Sequence, residues 1–191
     1  MESQRNVYEV SQSLPEQEGD GACAHLPGMR LPSVSLISTA GDLVDLSTLA
    51  GTTIVYCYPL TGRPGQDLPP GWDDIPGARG CTPQSCAFSD HHAELEKRGA
   101  RVFGLSVQDT AYQREAAERL RLPLRLLSDE KLEFARVLDL PTFETEGMTL
   151  IKRLTLVVED GMILKVFYPV LPPGRNAEDV LSWALRARED V

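Results

Sequence analysis

Cysteine is scarce in this chain: Cys23, Cys57, Cys81 and Cys86 are the only four in 191 residues, and their spacing is uneven. A set of this kind in a chain of this length is not a disulfide framework. It predicts a reducing cytoplasm, where any disulfide is transient and catalytic. Cys-x-x-Cys is missing altogether, which argues against a thiol–disulfide oxidoreductase that exchanges both thiols within one compact loop. Basic residues are outnumbered, with 19 Lys and Arg against 28 Asp and Glu and a formal net charge of −9. No basic patch is visible, so nucleic acid is not expected as a partner. No run of eighteen apolar residues exists, so no membrane span is expected. Met1 to Asn6 lack a basic region followed by an apolar one, so no secretory signal is expected. No internal repeat is found.

What is present suits one soluble domain with a sizeable core: 42% hydrophobic and 25% charged residues in a chain rather short for two domains. Residues 1 to about 26 are polar and aperiodic, and read as a flexible or loosely docked arm before a single domain over 27–191. Leu31 to Ser38 reads as a first strand, closed by the turn Ala40-Gly41-Asp42, with a short helical turn at Asp45–Leu49. Thr52 to Tyr58 and Arg101 to Val107 are apolar without alternation, as strands buried on both faces are. Leu124 to Leu127 is a shorter third. Thr149–Val158 and Met162–Tyr168 flank Asp160-Gly161, the centre of a hairpin turn.

Helical patterns fall between the strands. Thr82 to Arg98 places Phe88, His92 and Leu95 on one stripe; Asp109 caps Thr110–Leu120 and Asp129 caps Glu130–Leu138. Asn176-Ala177-Glu178-Asp179 gives Val180–Arg188 a start like a capping box. The series predicts an α/β fold with helices flanking a mixed sheet, its parallel part central.

The candidate site is the run Gly80-Cys81-Thr82-Pro83-Gln84-Ser85-Cys86, where a Gly/Pro-rich loop becomes a helix. A free thiol titrates near pH ~8.5, and unpaired N–H groups at a helix start favour its thiolate. Inert packing is the bland alternative; the spacing, the helix start and Thr82-Pro83 argue for function. Five residues of helix rise roughly 7.5 Å and separate Cα atoms by about 8 to 9 Å, whereas a disulfide needs less than roughly 7 Å. A bridge therefore requires the first turns to unwind. Zinc on Cys81, Cys86, His91 and His92 is disfavoured, because steps of five turn roughly 140° and His92 lies three turns from Cys81.

Arg153 lies in a strand apolar on both faces, where a period of two gives it Ile151, Thr155 and Val157 as companions. A guanidinium there needs an anionic partner, an open cleft or a route to water at an edge. The pattern alone leaves these readings open. Cys57, in an apolar strand, reads as a packing residue. Cys23 reads as an incidental thiol or, less simply, as an alternative to Cys86 as the thiol that traps an oxidised partner.

At these residues the chain resembles the peroxiredoxins, and most closely the PrxQ or bacterioferritin-comigratory subfamily. Gly80 to Asp90 is similar to its Gly-Cys-Thr-x-x-x-Cys-x-Phe-x-Asp segment, and Leu122 to Asp129 to its Leu-Pro-Phe-x-Leu-Leu-Ser-Asp. The resemblance runs from about Leu31 to Arg186, with Tyr56-Cys57-Tyr58-Pro59 as the strand ending in proline. It implies a thioredoxin-like fold and reduction of hydroperoxides without metal or organic cofactor. It also implies a thioredoxin or similar dithiol reductant and a monomer or weak dimer. By position it makes Cys81 the peroxidatic cysteine, Cys86 the resolving cysteine in an intramolecular disulfide, and Arg153 the active-site arginine. The family loop, Pro-x-x-x-Thr/Ser-x-x-Cys, is broken here: Pro59 precedes Cys81 by twenty-two positions, and Ala78 stands where the hydroxyl residue belongs. Leu60–Gly80 thus reads as an insertion. Pro59 and Thr61 are carried over as site residues, with a backbone group as the alternative source of Thr61's role. The rival readings are a protein thiol–disulfide oxidoreductase and a redox-sensing or zinc-holding module.

Overall fold

The computed structural model describes residues 19–189. Its main sheet has seven strands in the order β2-β1-β5-β4-β3-β8-β9. These are β1 (Ser35–Ser38), β2 (Leu43–Asp45), β3 (Thr52–Cys57), β4 (Arg101–Ser106), β5 (Arg125–Ser128), β8 (Leu154–Glu159) and β9 (Met162–Phe167). β3, β4 and β5 are parallel at the centre, and the outer pairs are antiparallel. The mixed sheet with a parallel middle is the one the sequence predicts. β3 and β4 have no polar face because both of their faces are covered. On one side Ile54, Tyr56, Val102 and Leu126 meet Phe88, Leu95, Val180 and Leu181, from the helices α1 (Cys81–Asp90), α2 (His92–Lys97) and α5 (Asn176–Glu189). On the other side Val55, Cys57, Phe103 and Leu156 meet Phe134, Ala135 and Leu138, from or beside α4 (Glu133–Val137). The remaining helix is α3 (Thr110–Arg119).

Four expectations need correction. The described part of the proposed arm is not loose: Cys23 and Leu26 are 6% and 0% exposed and belong to the α4-side core, while residues 1–18 lie outside the described residues. The helix expected over 82–98 breaks at His91 into α1 and α2. The strand expected over 149–158 is two strands. β7 (Met148–Ile151) pairs with β6 (Thr142–Thr145) in a separate hairpin, and the chain re-enters the main sheet only at Leu154, with Lys152 N–H donating to the Pro141 carbonyl at 2.8 Å. Ile151 therefore packs in the α4-side core, while Val157 packs on the α1 side. Finally, α4 starts three residues late. Asp129 does cap it, accepting from the N–H groups of Phe134 and Ala135 at 3.1 and 2.9 Å. Burial pushes the Asp129 carboxyl up, and these donors pull it back.

The site helix is held from below by Tyr56. Its ring stacks on Phe88 at 4.6 Å between centroids and its hydroxyl donates to Ser85 Oγ at 3.3 Å. Gly104, the β4 partner of Tyr56, makes room for that ring, since a Cβ there would lie 2.7 Å from it.

Candidate active site

Cys81 is the first residue of α1, set there by Gly80 at φ 106°. A side chain at Gly80 would be strained at this φ and would meet Pro173 Cγ at 2.5 Å, so the chain turns sharply against the short 3-10 turn Pro173–Arg175. Pro83 follows within the first helical turn, where its missing N–H costs no helix bond. No side chain caps this end among the described residues, so backbone N–H groups and the helix dipole face the sulfur's end.

Arg153 reaches the same point from the chain between β7 and β8. Its Nη2 lies 3.2 Å from Cys81 Sγ, with Arg153 1% and Cys81 3% exposed. The same nitrogen lies 3.3, 3.1 and 2.9 Å from the carbonyl oxygens of Gly77, Ala78 and Arg79. Two hydrogens serve four acceptors, and an anionic sulfur is the strongest of them. Nη1 donates to Gln84 Oε1 at 2.5 Å. Nε is buried and without a partner among the described residues. The guanidinium thus faces a buried sulfur rather than an open cleft or water at an edge.

Cys86 lies on the same unbroken helix, half-buried. Burial, then the neighbouring Asp90, push its thiol up, and Arg119 draws it back. All four cysteines are free thiols. With both site cysteines on regular helix, the unwinding argued from the sequence applies to this geometry.

Thr61 spends its hydrogen bonds away from the sulfur. Thr61 is 1% exposed, and its Oγ1 and N–H both donate to Gln108 Oε1 at 3.0 Å. Tyr112 O–H donates to its carbonyl at 3.0 Å. The group that does meet the sulfur is the Ala78 carbonyl, which accepts from the Cys81 thiol at 3.6 Å. Pro59 is buried just past β3. Between them the 60–80 segment folds on its own apolar knot. Trp72, Ala78 and Leu150 are buried together with Leu60, Ile75 and Phe143 against them, and Arg79 donates to both carboxylate oxygens of Asp73 at 2.5 and 3.2 Å.

Cys57 is fully buried and Cys23 nearly so, and burial pushes the Cys23 thiol up to about 12 and that of Cys57 further. Sequence reasoning missed Gln84, Thr155 and Asn176. Gln84 was legible in part, three residues from Cys81 and so on its side of a helix. Asn176 read only as a helix start.

The chain is similar to known proteins over most of its length. The family described as Redoxin matches residues 26–181. A chloroplastic peroxiredoxin Q of Populus jackii is 32% identical over 81% of this chain, and one of Sedum lineare is 30% identical over 81%. The chain spans 66% of the first relative's length, just under two thirds, and 75% of the second's. The crystal structure of peroxidoxin BcpB from Mycobacterium tuberculosis superposes with a TM-score of 0.69 at 25% identity, covering 85% of this chain and 98% of that one. The fold is thioredoxin-like, and the chain belongs to the Redoxin family, among the peroxiredoxins of the Q or bacterioferritin-comigratory type.

Proposed function

We propose that the protein is a thiol peroxidase that reduces hydroperoxides with Cys81 and is recycled by a thioredoxin-type dithiol in a reducing compartment such as the cytoplasm. The observation that carries the reading is the guanidinium of Arg153 at 3.2 Å from a sulfur buried at a helix start. In the reaction the Cys81 thiolate attacks one peroxide oxygen along the O–O axis. The S–O bond forms as the O–O bond breaks, the leaving oxygen takes a proton as water or alcohol, and sulfur becomes a sulfenic acid. Arg153 stabilises the thiolate and the charge growing on the departing oxygen. The first turn of α1 then unwinds, the Cys86 thiolate displaces hydroxide from the Cys81 sulfur, and a disulfide forms with release of water. An external dithiol takes the oxidation over.

Intact-mass analysis after one equivalent of hydroperoxide, with peptide mapping of thiols, tests this. The expected product is a loss of two hydrogens per chain, located as a Cys81–Cys86 bridge. Cys81→Ser abolishes consumption, and Cys86→Ser permits a single turnover that stops at sulfenic acid. Sustained turnover by Cys81→Ser at the parent rate would refute the assignment.

A further inference from the structure

Behind Cys81 runs one connected line of buried polar groups. Thr155 Oγ1 donates to Asn176 Oδ1 at 2.6 Å, and Gln84 Nε2 donates to the same oxygen at 2.9 Å. Gln84 Oε1 accepts from Arg153 Nη1 at 2.5 Å, and Arg153 Nη2 faces the sulfur. Thr155 and Gln84 are fully buried, with Asn176 and Arg153 at 1% exposure, so water does not substitute for any member.

The polarity of this line is forced. Arginine can only donate, so Gln84 must turn its oxygen to Arg153 and its NH2 to Asn176. Asn176 must then present an oxygen, and that oxygen takes its second hydrogen bond from Thr155. A reversed Gln84 carboxamide would set NH2 against guanidinium in a dry site, two donors with nothing between them. Thr155 and Asn176 come from β8 and from the first residue of α5, elements outside the site helix. Asn176 does not open α5 as a capping box; its side chain turns inward. The short 3-10 turn before it is the one that holds Pro173 against Gly80.

We propose that Asn176 and Thr155 are positioning residues for the reaction at Cys81: they hold the Gln84 carboxamide in the one orientation that fixes the Arg153 guanidinium against the sulfur. This rests on Cys81 being the reacting thiol. Asn176 also ties α5 to the first turn of α1, the turn that must open before Cys86 can reach Cys81.

The test is single-turnover oxidation of Cys81 by hydrogen peroxide, followed by intact mass across pH 5 to 9 in a Cys86→Ser background. Asn176→Ala removes the acceptor. It is expected to slow oxidation at pH 7 by about five-fold, the value of one buried hydrogen bond, and to move the rising limb of the pH profile upward. Thr155→Val keeps the shape of the side chain but lacks the hydroxyl; it shifts both in the same direction by less, and Thr155→Ser recovers most of the rate. Should Asn176→Ala fail to fold, Thr155→Val carries the test. An unchanged rate and pH profile in folded variants overturns the proposal, and so does a lowered melting temperature with the profile unmoved, which would mark a merely structural role. Failure of the Cys86→Ser parent to oxidise at Cys81 would instead sink the peroxidase reading beneath it.

Discussion

Replacing Gly80 by alanine puts a methyl group where the start of the site helix is wedged against the 3-10 turn at Pro173. The backbone at φ 106° alone costs a non-glycine residue about 1–2 kcal/mol. The new Cβ would then lie 2.5 Å from Pro173 Cγ and 2.9 Å from Pro173 Cβ, and overpacking of this kind costs about 1–3 kcal/mol more. The expected loss of unfolding free energy is about 2–5 kcal/mol. Gly41→Ala is the matched control, since its φ is 92° and nothing lies within 4 Å of a Cβ there; it should show only the backbone part. The difference between the two, read from urea unfolding, isolates the contact, and a double mutant with Pro173→Gly should recover it. Relief of the clash by sliding α1 away would draw Cys81 off Arg153, and a displacement of about 1 Å in a reacting group costs up to ~100-fold in rate. Hydroperoxide consumption should therefore fall in Gly80→Ala and not in Gly41→Ala. Equal destabilisation in the two variants would refute the claim that Pro173 on a left-handed glycine fixes where α1 begins.

Arg153→Lys should reduce peroxide turnover about 100-fold, because an ammonium cannot bond Gln84, the 77–79 carbonyls and the sulfur from one planar group; steady-state kinetics within three-fold of the parent would contradict this. Cys23, with its thiol held up at about 12, should have a thiolate fraction of only ~10⁻⁴ at pH 8. Alkylation of the native protein followed by peptide mapping should find Cys86 modified well before it. Because the native state keeps that proton while the unfolded thiol releases it near pH ~8.5, its contribution is complete below that pH. It is lost as the pH rises toward 12, and urea midpoints measured against pH should flatten in Cys23→Ala. Arg79→Ala breaks a half-buried ion pair, with side-chain exposures of 15% and 31%. Its cost should be about 1 kcal/mol or less globally, but limited proteolysis should cut first within 60–80.

The helix start at Cys81 was legible because its signals are local. Gly-Cys-Thr-Pro marks a helix start, and Cys81 and Cys86 share one helix. Asp160-Gly161 closes the β8–β9 hairpin, with Glu159 opposite Met162. Glu146-Gly147 closes β6–β7 in the same way, with Thr145 opposite Met148. That hairpin went unread because its second strand runs into Lys152-Arg153 without a turn residue to mark where the main sheet resumes. Gln84 and Asn176 lie 92 positions apart, and no periodicity reports a hydrogen bond over that span. The docking of Cys23 and Leu26 was hidden for another reason: two apolar residues in a polar stretch give no period, and only the uncovered sheet face explains their burial.

On the proposed reading, the 60–80 segment decides which groups can serve a peroxide at Cys81. A threonine or serine three positions before the cysteine would offer a hydroxyl, which both accepts and donates. Here the Ala78 carbonyl stands at that place, and it only accepts. It accepts the thiol's hydrogen bond but gives nothing to an incoming peroxide oxygen, and it competes with the sulfur for Arg153 Nη2. Thr61, the nearest hydroxyl after Pro59, is committed to Gln108. In the proposed reaction the donors left for substrate are the Arg153 guanidinium and the backbone N–H groups at the start of α1. More of the work therefore falls on the orientation of one guanidinium, and that orientation is secured on one edge by the 77–79 carbonyls and on the other by Gln84. The same 60–80 segment supplies the carbonyls of residues 77–79 that hold the arginine, and Ala78 is also packed in the cluster around Trp72, so the packing at Trp72 and the hold on Arg153 share one residue.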